Sequence, residues 1–212
     1  MPLVLPRLYV ILDAALANAP VAGLAEDLFA AGARLFQYRD KTSSGADMLR
    51  ASRLLAEQFI PRGATFIVND RPDVAFLSGA SGVHVGQDDL SAADARAVVG
   101  PSKLVGASTH NRAQFKAALG TADYIAVGPI FATGSKANPD PAVGTALLKE
   151  LRGLTELPIV AIGGITLERA NEVMEAGADS VAVISDILRA PDPAERARQF
   201  LQALGCNGRA AS

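Results

Sequence analysis

The stretch KLVGASTHNRAQFKAALGTADYIAV, residues 103–127, holds one full unit of the fold. It opens on the short apolar run KLVGA (103–107), too short for a helix and apolar on both faces, which is how a parallel strand buried on both sides reads. The run passes into the polar cluster Ser108-Thr109-His110-Asn111. Asn111 suits the start of a helix, because a side-chain oxygen there can accept from a free backbone N–H of the first turn. Gly120 suits the helix exit, where a left-handed residue closes the last turn. The next apolar run, DYIAV (123–127), follows at once.

The same order recurs in both directions along the chain. Apolar, β-branched runs stand at LYVIL (8–12), RLFQY (34–38), TFIVN (65–69), GVHVG (82–86), KLVGA (103–107), DYIAV (123–127), PIVAI (158–162) and SVAVI (180–184). The segments between them carry a helical period: Val21, Leu24 and Leu28 share one face, as do Met48, Leu55 and Phe59. Ser91, Thr166 and Asp192 (the last followed by Pro193) offer further helix starts, and Gly32 and Gly177 further exits. Eight strand–helix units without a second-domain signature predict a single α/β domain, a (β/α)8 TIM barrel over residues 1–205, with 206–212 as a short flexible tail. The competing open sheet is disfavoured by the repeat count and by the lack of a Gly-x-Gly-x-x-Gly turn after the first strand.

Composition narrows the partners. The 212 residues are half apolar, carry a net charge of -2 and contain no basic block, which excludes a phosphate-backbone reader and hence nucleic acid. The one cysteine, Cys206, has no partner for a disulfide or a thiolate metal site, and fits a reducing cytoplasm. MPLVLPRLYVILDAALANA has the outline of a signal peptide, but it lacks a positive start, is interrupted by Arg7 and ends at Asp13. No apolar run reaches the ~18 residues that a membrane span needs.

In such barrels the site forms at the C-terminal strand ends, and here those ends are polar while links such as AAGA (30–33) and EAGA (175–178) are plain. Gln37, Arg39 and Lys41 alternate along an extended segment and so share a face, where an Arg fork and a Lys charge suit a diphosphate. Asn69-Asp70 ends the third run and Gly86-Gln87-Asp88-Asp89 follows the fourth. Asp70 and Asp89 would repel unless a cation lies between them, and Mg²⁺ takes one or two carboxylates with water and phosphate oxygens. On the residues alone, Asp88 could replace Asp89, and Asp70 could instead cap the helix after Pro72. Gly163-Gly164 and Ile184-Ser185-Asp186 follow the seventh and eighth runs, where barrels place a phosphate. Residues 128–144, with Thr133, Ser135 and Lys136, show neither period and predict a lid. His84 reads as a packed strand residue and His110 as a loop residue. No His–carboxylate–nucleophile set is evident, so acyl-transfer hydrolysis is disfavoured.

Together these pieces resemble the thiamine phosphate synthase family, from Tyr9 to about Phe200. The likeness rests on QYRDK (37–41), VND (68–70), GVHVGQDDL (82–90), GASTHN (106–111), DYIAVGPIFATGSK (123–136), IVAIGGI (159–165) and AVIS (182–185), in that order. The resemblance implies a transferase that joins a pyrimidine diphosphate to a thiazole phosphate with Mg²⁺. It implies that Gln37, Arg39, Lys41 and Asn69 bind the pyrimidine diphosphate, that Asp70 and Asp89 ligate Mg²⁺, and that Ser108 and Lys136 contact the pyrimidine substrate and its diphosphate. Thr133 and Ser135, with Gly164, Ile184 and Ser185, would hold the thiazole phosphate. Arg39, Lys41, Ser108 and Lys136 would be the catalytic set. The chain departs from the family where Pro is common at Ala132 and Thr at Ser135. A homo-oligomer is compatible with the sequence, which does not specify one.

Three rivals are weighed against this reading. Thiazole tautomerases of the same superfamily tend to carry a His where this chain has Gly128 and to lose parts of the diphosphate set. A Schiff-base aldolase would use Lys41 or Lys136, but such lysines usually lie inside strands in apolar surroundings. A non-catalytic binder of thiazole phosphate would not need Arg39, Asp70, Asp89 or Lys136.

Overall fold

The computed structural model describes residues 2–17, 19–133 and 141–206. Eight parallel strands close into a barrel in sequence order, β1 (Leu8–Asp13), β2 (Leu35–Arg39), β3 (Thr65–Asn69), β4 (Gly82–Val85), β5 (Leu104–Thr109), β6 (Tyr124–Val127), β7 (Ile159–Ile162) and β8 (Ser180–Val183). Val10 pairs in register with Phe36 on one side and Val183 on the other, which closes the ring. Each strand lies within two residues of its apolar run. Two differ usefully: β1 extends to Asp13, and β5 runs on through Ser108 and Thr109, so these polar residues belong to strands.

The buried side chains form two layers because strand residues alternate in direction. Leu8, Val10 and Leu12 of β1 face outward into the layer shared with the helices. Tyr9, Ile11, Leu35, Ile67, Tyr124 and Val160 fill the barrel interior. The helices that cover the strands begin at α1 (Val21–Ala30), α2 (Gly45–Phe59), α3 (Pro72–Ser78), α4 (Ala92–Val99), α5 (Arg112–Ala118) and α6 (Gly144–Arg152). α7 (Ala170–Glu175), α8 (Ser185–Leu188) and α9 (Pro193–Ala203) complete them. In α2 the buried stripe is Met48, Ser52, Leu55, Ala56 and Phe59, and the Ser52 hydroxyl is buried without a hydrogen-bond partner.

The caps follow the sequence with two exceptions. Ser91, Asn111 and Asp192 accept from the N–H of Asp94, Gln114 and Glu195, and Gly32, Gly120 and Gly177 take positive φ at helix exits. Thr166 does not cap with its side chain; a 3-10 turn over Leu167–Arg169 comes first and α7 follows. Asp70 is no cap either, since α3 starts after Arg71 with Pro72 in its first turn.

At the N-terminal ends of the strands the links are more elaborate than the sequence suggested. Asp123 Oδ2 accepts from the Val105 N–H (2.7 Å) and from Arg96. Asp179 Oδ2 accepts from the Ile159 N–H (2.8 Å) and from Arg152 Nη1 (2.7 Å). Each arginine also donates to carbonyls of its own link: Arg96 to Gly100 and Lys103, Arg152 to Thr155 and Leu157. The two brackets are copies, each joining an arginine to an aspartate 27 residues later. No helix among the described residues is long and apolar enough to cross a membrane.

Candidate active site

A cavity of about 620 Å³ opens at the C-terminal end of the barrel. It gathers Gln37, Arg39 and Lys41 from β2 and its exit, Asn69 and Asp70 from β3, Asp88 and Asp89 after β4, and Ser108 from β5. Thr133, Gly164, Ile184 and Ser185 line the same space, with His84, His110 and Gln114. Ser135 and Lys136 lie outside the described residues, as do residues 134–140 of the expected lid and 207–212 of the expected tail.

One side of the cavity is charged. Arg39 is ion-paired to Asp13, a carboxylate only 3% exposed whose other oxygen accepts from the Ala15 N–H at 3.0 Å. Asp13 therefore fixes the guanidinium from behind. Asp40 accepts from the N–H groups of Thr42 and Ser43 (both 2.9 Å), folding the turn from which Lys41 reaches the Asp70 carboxylate. Asp70 stands at φ 62, the one positive φ outside glycine among the described residues, a conformation that Asp and Asn adopt more readily than most. Its N–H donates to the His84 carbonyl (2.7 Å), holding the turn. Asp89 accepts from the Gly86 N–H at 2.8 Å and meets Asp70, while Asp88 is exposed. Burial and the adjacent Asp70 push the Asp89 carboxyl above its usual range, and Lys41 opposes the rise.

The facing side is backbone. Past β6, the Ile130 and Phe131 N–H groups donate to Ile162 O (2.8 Å) and Gly163 O (3.0 Å), continuing the sheet beside the end of β7. The approach demands glycine: a Cβ on Gly163 would come within 2.4 Å of the Pro129 side chain, and one on Gly164 within 2.5 Å of the Ala132 carbonyl. Val143 and Gly144 donate back to the carbonyls of Pro129 and Ile130 (2.8 and 3.1 Å), so both ends of the 128–144 segment are pinned together at its base. Asp186 accepts from the Leu167 N–H (3.2 Å) and ties the start of α8, with Ser185, to the turn after β7.

Beneath the cavity runs a chain of side-chain hydrogen bonds. Gln37 Nε2 donates to Tyr9 Oη (2.9 Å), Tyr9 Oη meets Tyr124 Oη (3.0 Å), and Tyr124 Oη meets His84 Nδ1 (3.1 Å). His84 Nε2 then meets Ser108 Oγ (2.8 Å). Burial pushes both phenols well above their ordinary range, so they stay protonated. His84 is indeed packed in its strand, but it also joins the Ser108 hydroxyl to this chain. His110, from the exit of β5, lines the cavity and bonds the Gly128 carbonyl through Nδ1 at 2.5 Å. Sequence reasoning missed Asp13, Tyr9 and Tyr124 as site residues; the only signal was their place at alternate or terminal positions of strands.

The sequence pattern of the family described as Thiamine monophosphate synthase matches residues 8–187. The chain belongs to the thiamine monophosphate synthase family. It is 51% identical over 206 residues to the thiamine-phosphate synthase of Koribacter versatilis, covering 94% of this chain and 96% of that one. It is 46% identical over 195 residues to the thiamine-phosphate synthase of Methanoculleus marisnigri, covering 91% and 92%. The solved thiamine phosphate pyrophosphorylase of Pyrococcus furiosus superposes with a TM-score of 0.85 at 28% identity, over 94% of this chain and 95% of that one. These family members carry the synthase name, and neither the tautomerase nor the non-catalytic reading finds support among them. Lys41, half-exposed and paired to Asp70, lacks the apolar surroundings of a Schiff-base lysine.

Proposed function

We propose that this chain condenses 4-amino-2-methyl-5-(diphosphooxymethyl)pyrimidine with a thiazole phosphate, giving thiamine phosphate and diphosphate. The observation that carries the reading is one cavity with a cationic, carboxylate-bearing side opposite a glycine-backbone side, room for two anionic substrates held apart. Gln37 and Ser108, the two ends of the hydrogen-bonded chain, would take the pyrimidine ring. Gly164, Ile184 and Ser185, with Thr133 and Ser135, would hold the thiazole phosphate through N–H and hydroxyl donors.

Asp70 and Asp89 would hold Mg²⁺. Among the described residues no group of three or more His, Cys, Asp or Glu gathers to hold a metal, so the ion would draw on two carboxylates and on non-protein oxygens, the Mg²⁺ pattern. The donor set fits, because two carboxylates pressed together under partial burial favour a cation. Bound there, the ion would supply positive charge to the diphosphate as it leaves.

The chain's own residues do the rest. Arg39, aimed by Asp13, with Lys41 and Lys136, would neutralise charge growing on the departing oxygens as the C–O bond of the methylene breaks and its electron pair leaves with diphosphate. The aminopyrimidine stabilises the cation by donation from its amino group, and the thiazole nitrogen attacks to form the new C–N bond. No protein nucleophile is required, because the thiazole nitrogen is itself the nucleophile. Closure of the 128–144 segment would keep water from the cation. A cytoplasmic enzyme acting on small molecules is the setting this reading supposes.

The test is turnover. Protein mixed with the pyrimidine diphosphate, the thiazole phosphate and Mg²⁺ should yield thiamine phosphate, read as fluorescent thiochrome, and EDTA should abolish it. Well-folded protein that gives no thiochrome overturns the synthase reading; turnover that persists in EDTA overturns the metal.

A further inference from the structure

The floor network spans the barrel from Gln37 on β2 to Ser108 on β5 through three residues that the synthase reading leaves without a role. Tyr9 and His84 line the cavity, whereas Tyr124 does not. Tyr124 can therefore act on a bound molecule only through its neighbours. Its position is built: Tyr124 packs edge-on against Tyr9 (6.2 Å between centroids) and stacks on His84 (5.5 Å). Gly106 lies directly beneath the Tyr124–His84 link, where a Cβ would come within 2.4 Å of Tyr124 Oη and 2.5 Å of His84 Nδ1. Any other residue at 106 would break the link.

Such a chain carries direction. Each hydroxyl has one hydrogen to give, and a neutral imidazole donates from one nitrogen and accepts at the other. Where each group passes one hydrogen along the chain, Gln37 Nε2 donates to Tyr9, Tyr9 to Tyr124, Tyr124 to His84 Nδ1, and His84 Nε2–H to Ser108 Oγ. The Ser108 hydrogen is then left to point into the cavity, while Gln37 presents its amide oxygen there. Reversing every donor along the chain exchanges the roles of Ser108 and Gln37 together. The phenols, kept neutral by burial, transmit hydrogen positions without carrying charge.

We propose that Tyr9, Tyr124 and His84 are positioning residues that lock Gln37 and Ser108 into one complementary donor–acceptor pair, and that this makes the pocket select a 4-aminopyrimidine over its 4-oxo counterpart. A 4-aminopyrimidine offers an amino donor beside a ring-nitrogen acceptor; the 4-oxo ring offers the reverse, a carbonyl acceptor beside a ring N–H. A floor free to reorient would accept both, and a locked floor leaves the oxo ring with buried polar groups unpaired, which is the costly case. The inference rests on the synthase reading for the identity of the ring.

The experiment compares kcat/KM for the 4-amino diphosphate and for its 4-oxo analogue in the wild type, Tyr124→Phe, Tyr9→Phe and the double variant. Wild type should favour the amino ring strongly. Each single variant should lower that preference about tenfold, the scale of one buried hydrogen bond. The double variant should lose little more than either single one, because both cut the same chain. KM for the thiazole phosphate should stay within about twofold, since the anion side is not part of the network. Should Tyr124→Phe fail to fold, Tyr9→Phe reads the same ratio at another link. An unchanged preference in the folded variants, or losses that add in the double variant, would overturn the relay while leaving the synthase reading intact. A wild type inactive with the 4-amino diphosphate would instead overturn the synthase reading on which the relay depends.

Discussion

Both ends of the barrel carry charge, and they dispose of it in opposite ways. At the N-terminal ends of the strands, Arg96 and Arg152 are each held by an aspartate and by link carbonyls, and each aspartate also accepts one N–H near the start of a neighbouring strand. Those two pairs are answered within the chain. At the C-terminal ends, Asp89 is pressed against Asp70, Asp70 sits in a left-handed backbone, and Arg39 faces a cavity with Asp13 buried behind it. Charge that the protein satisfies itself is architecture. Charge crowded against like charge beside open space is arranged for something that binds.

The comparison predicts opposite phenotypes. Arg39→Ala or Asp89→Ala should lower turnover by about 100-fold or more, the scale of a lost charge-stabilising group, with little change in the thermal midpoint. Thiochrome assay and calorimetry on the same samples check it; wild-type rates in both variants would remove the catalytic meaning of that end. Asp179→Ala, at the other end, should reverse the pattern. Loss of its hydrogen bonds should cost about 2 kcal/mol in urea unfolding, with partial exposure keeping it from being larger, while kcat/KM stays within about twofold.

Asp70 carries both kinds of demand, and two substitutions separate them. Asp70→Asn and Asp70→Ala should both lose most activity. Only Ala should also lose about 1 kcal/mol of stability, because it adopts positive φ less readily than Asn. Equal stabilities would show that the turn relaxes without strain. The smallest effect belongs to neither end: Ser52→Ala in α2 should raise stability by up to about 1 kcal/mol, replacing a buried unpartnered hydroxyl by a better helix former.

The strands were legible because residues buried on both faces leave short apolar runs, and the polar clusters after seven of them pointed to the end of the barrel where the cavity gathers them. What the sequence hid depends on contacts far apart in the chain. Tyr9 and Tyr124 meet across 115 residues, and no local period marks them. Asp13 looked like the residue that merely ends an apolar run, whereas it is the last residue of β1 and the partner of Arg39. Asp123 falls within the sixth apolar run and Asp179 carries no local signal; their role appears only when the matching arginine comes round the barrel. Thr166 had the right chemistry for a cap, but a 3-10 turn intervenes before the helix.

The left-handed backbone at Asp70 also limits how this position can drift. Residues that tolerate φ 62 are few, chiefly Gly, Asn and Asp, and of these only Asp brings a charge. A lineage released from selection for catalysis would slide first to Asn or Gly, neighbours that keep the barrel intact and discard the carboxylate. On the metal-holding role proposed for Asp70, Asn or Gly at position 70 in an otherwise well-formed relative would then mark an enzyme that has fallen silent.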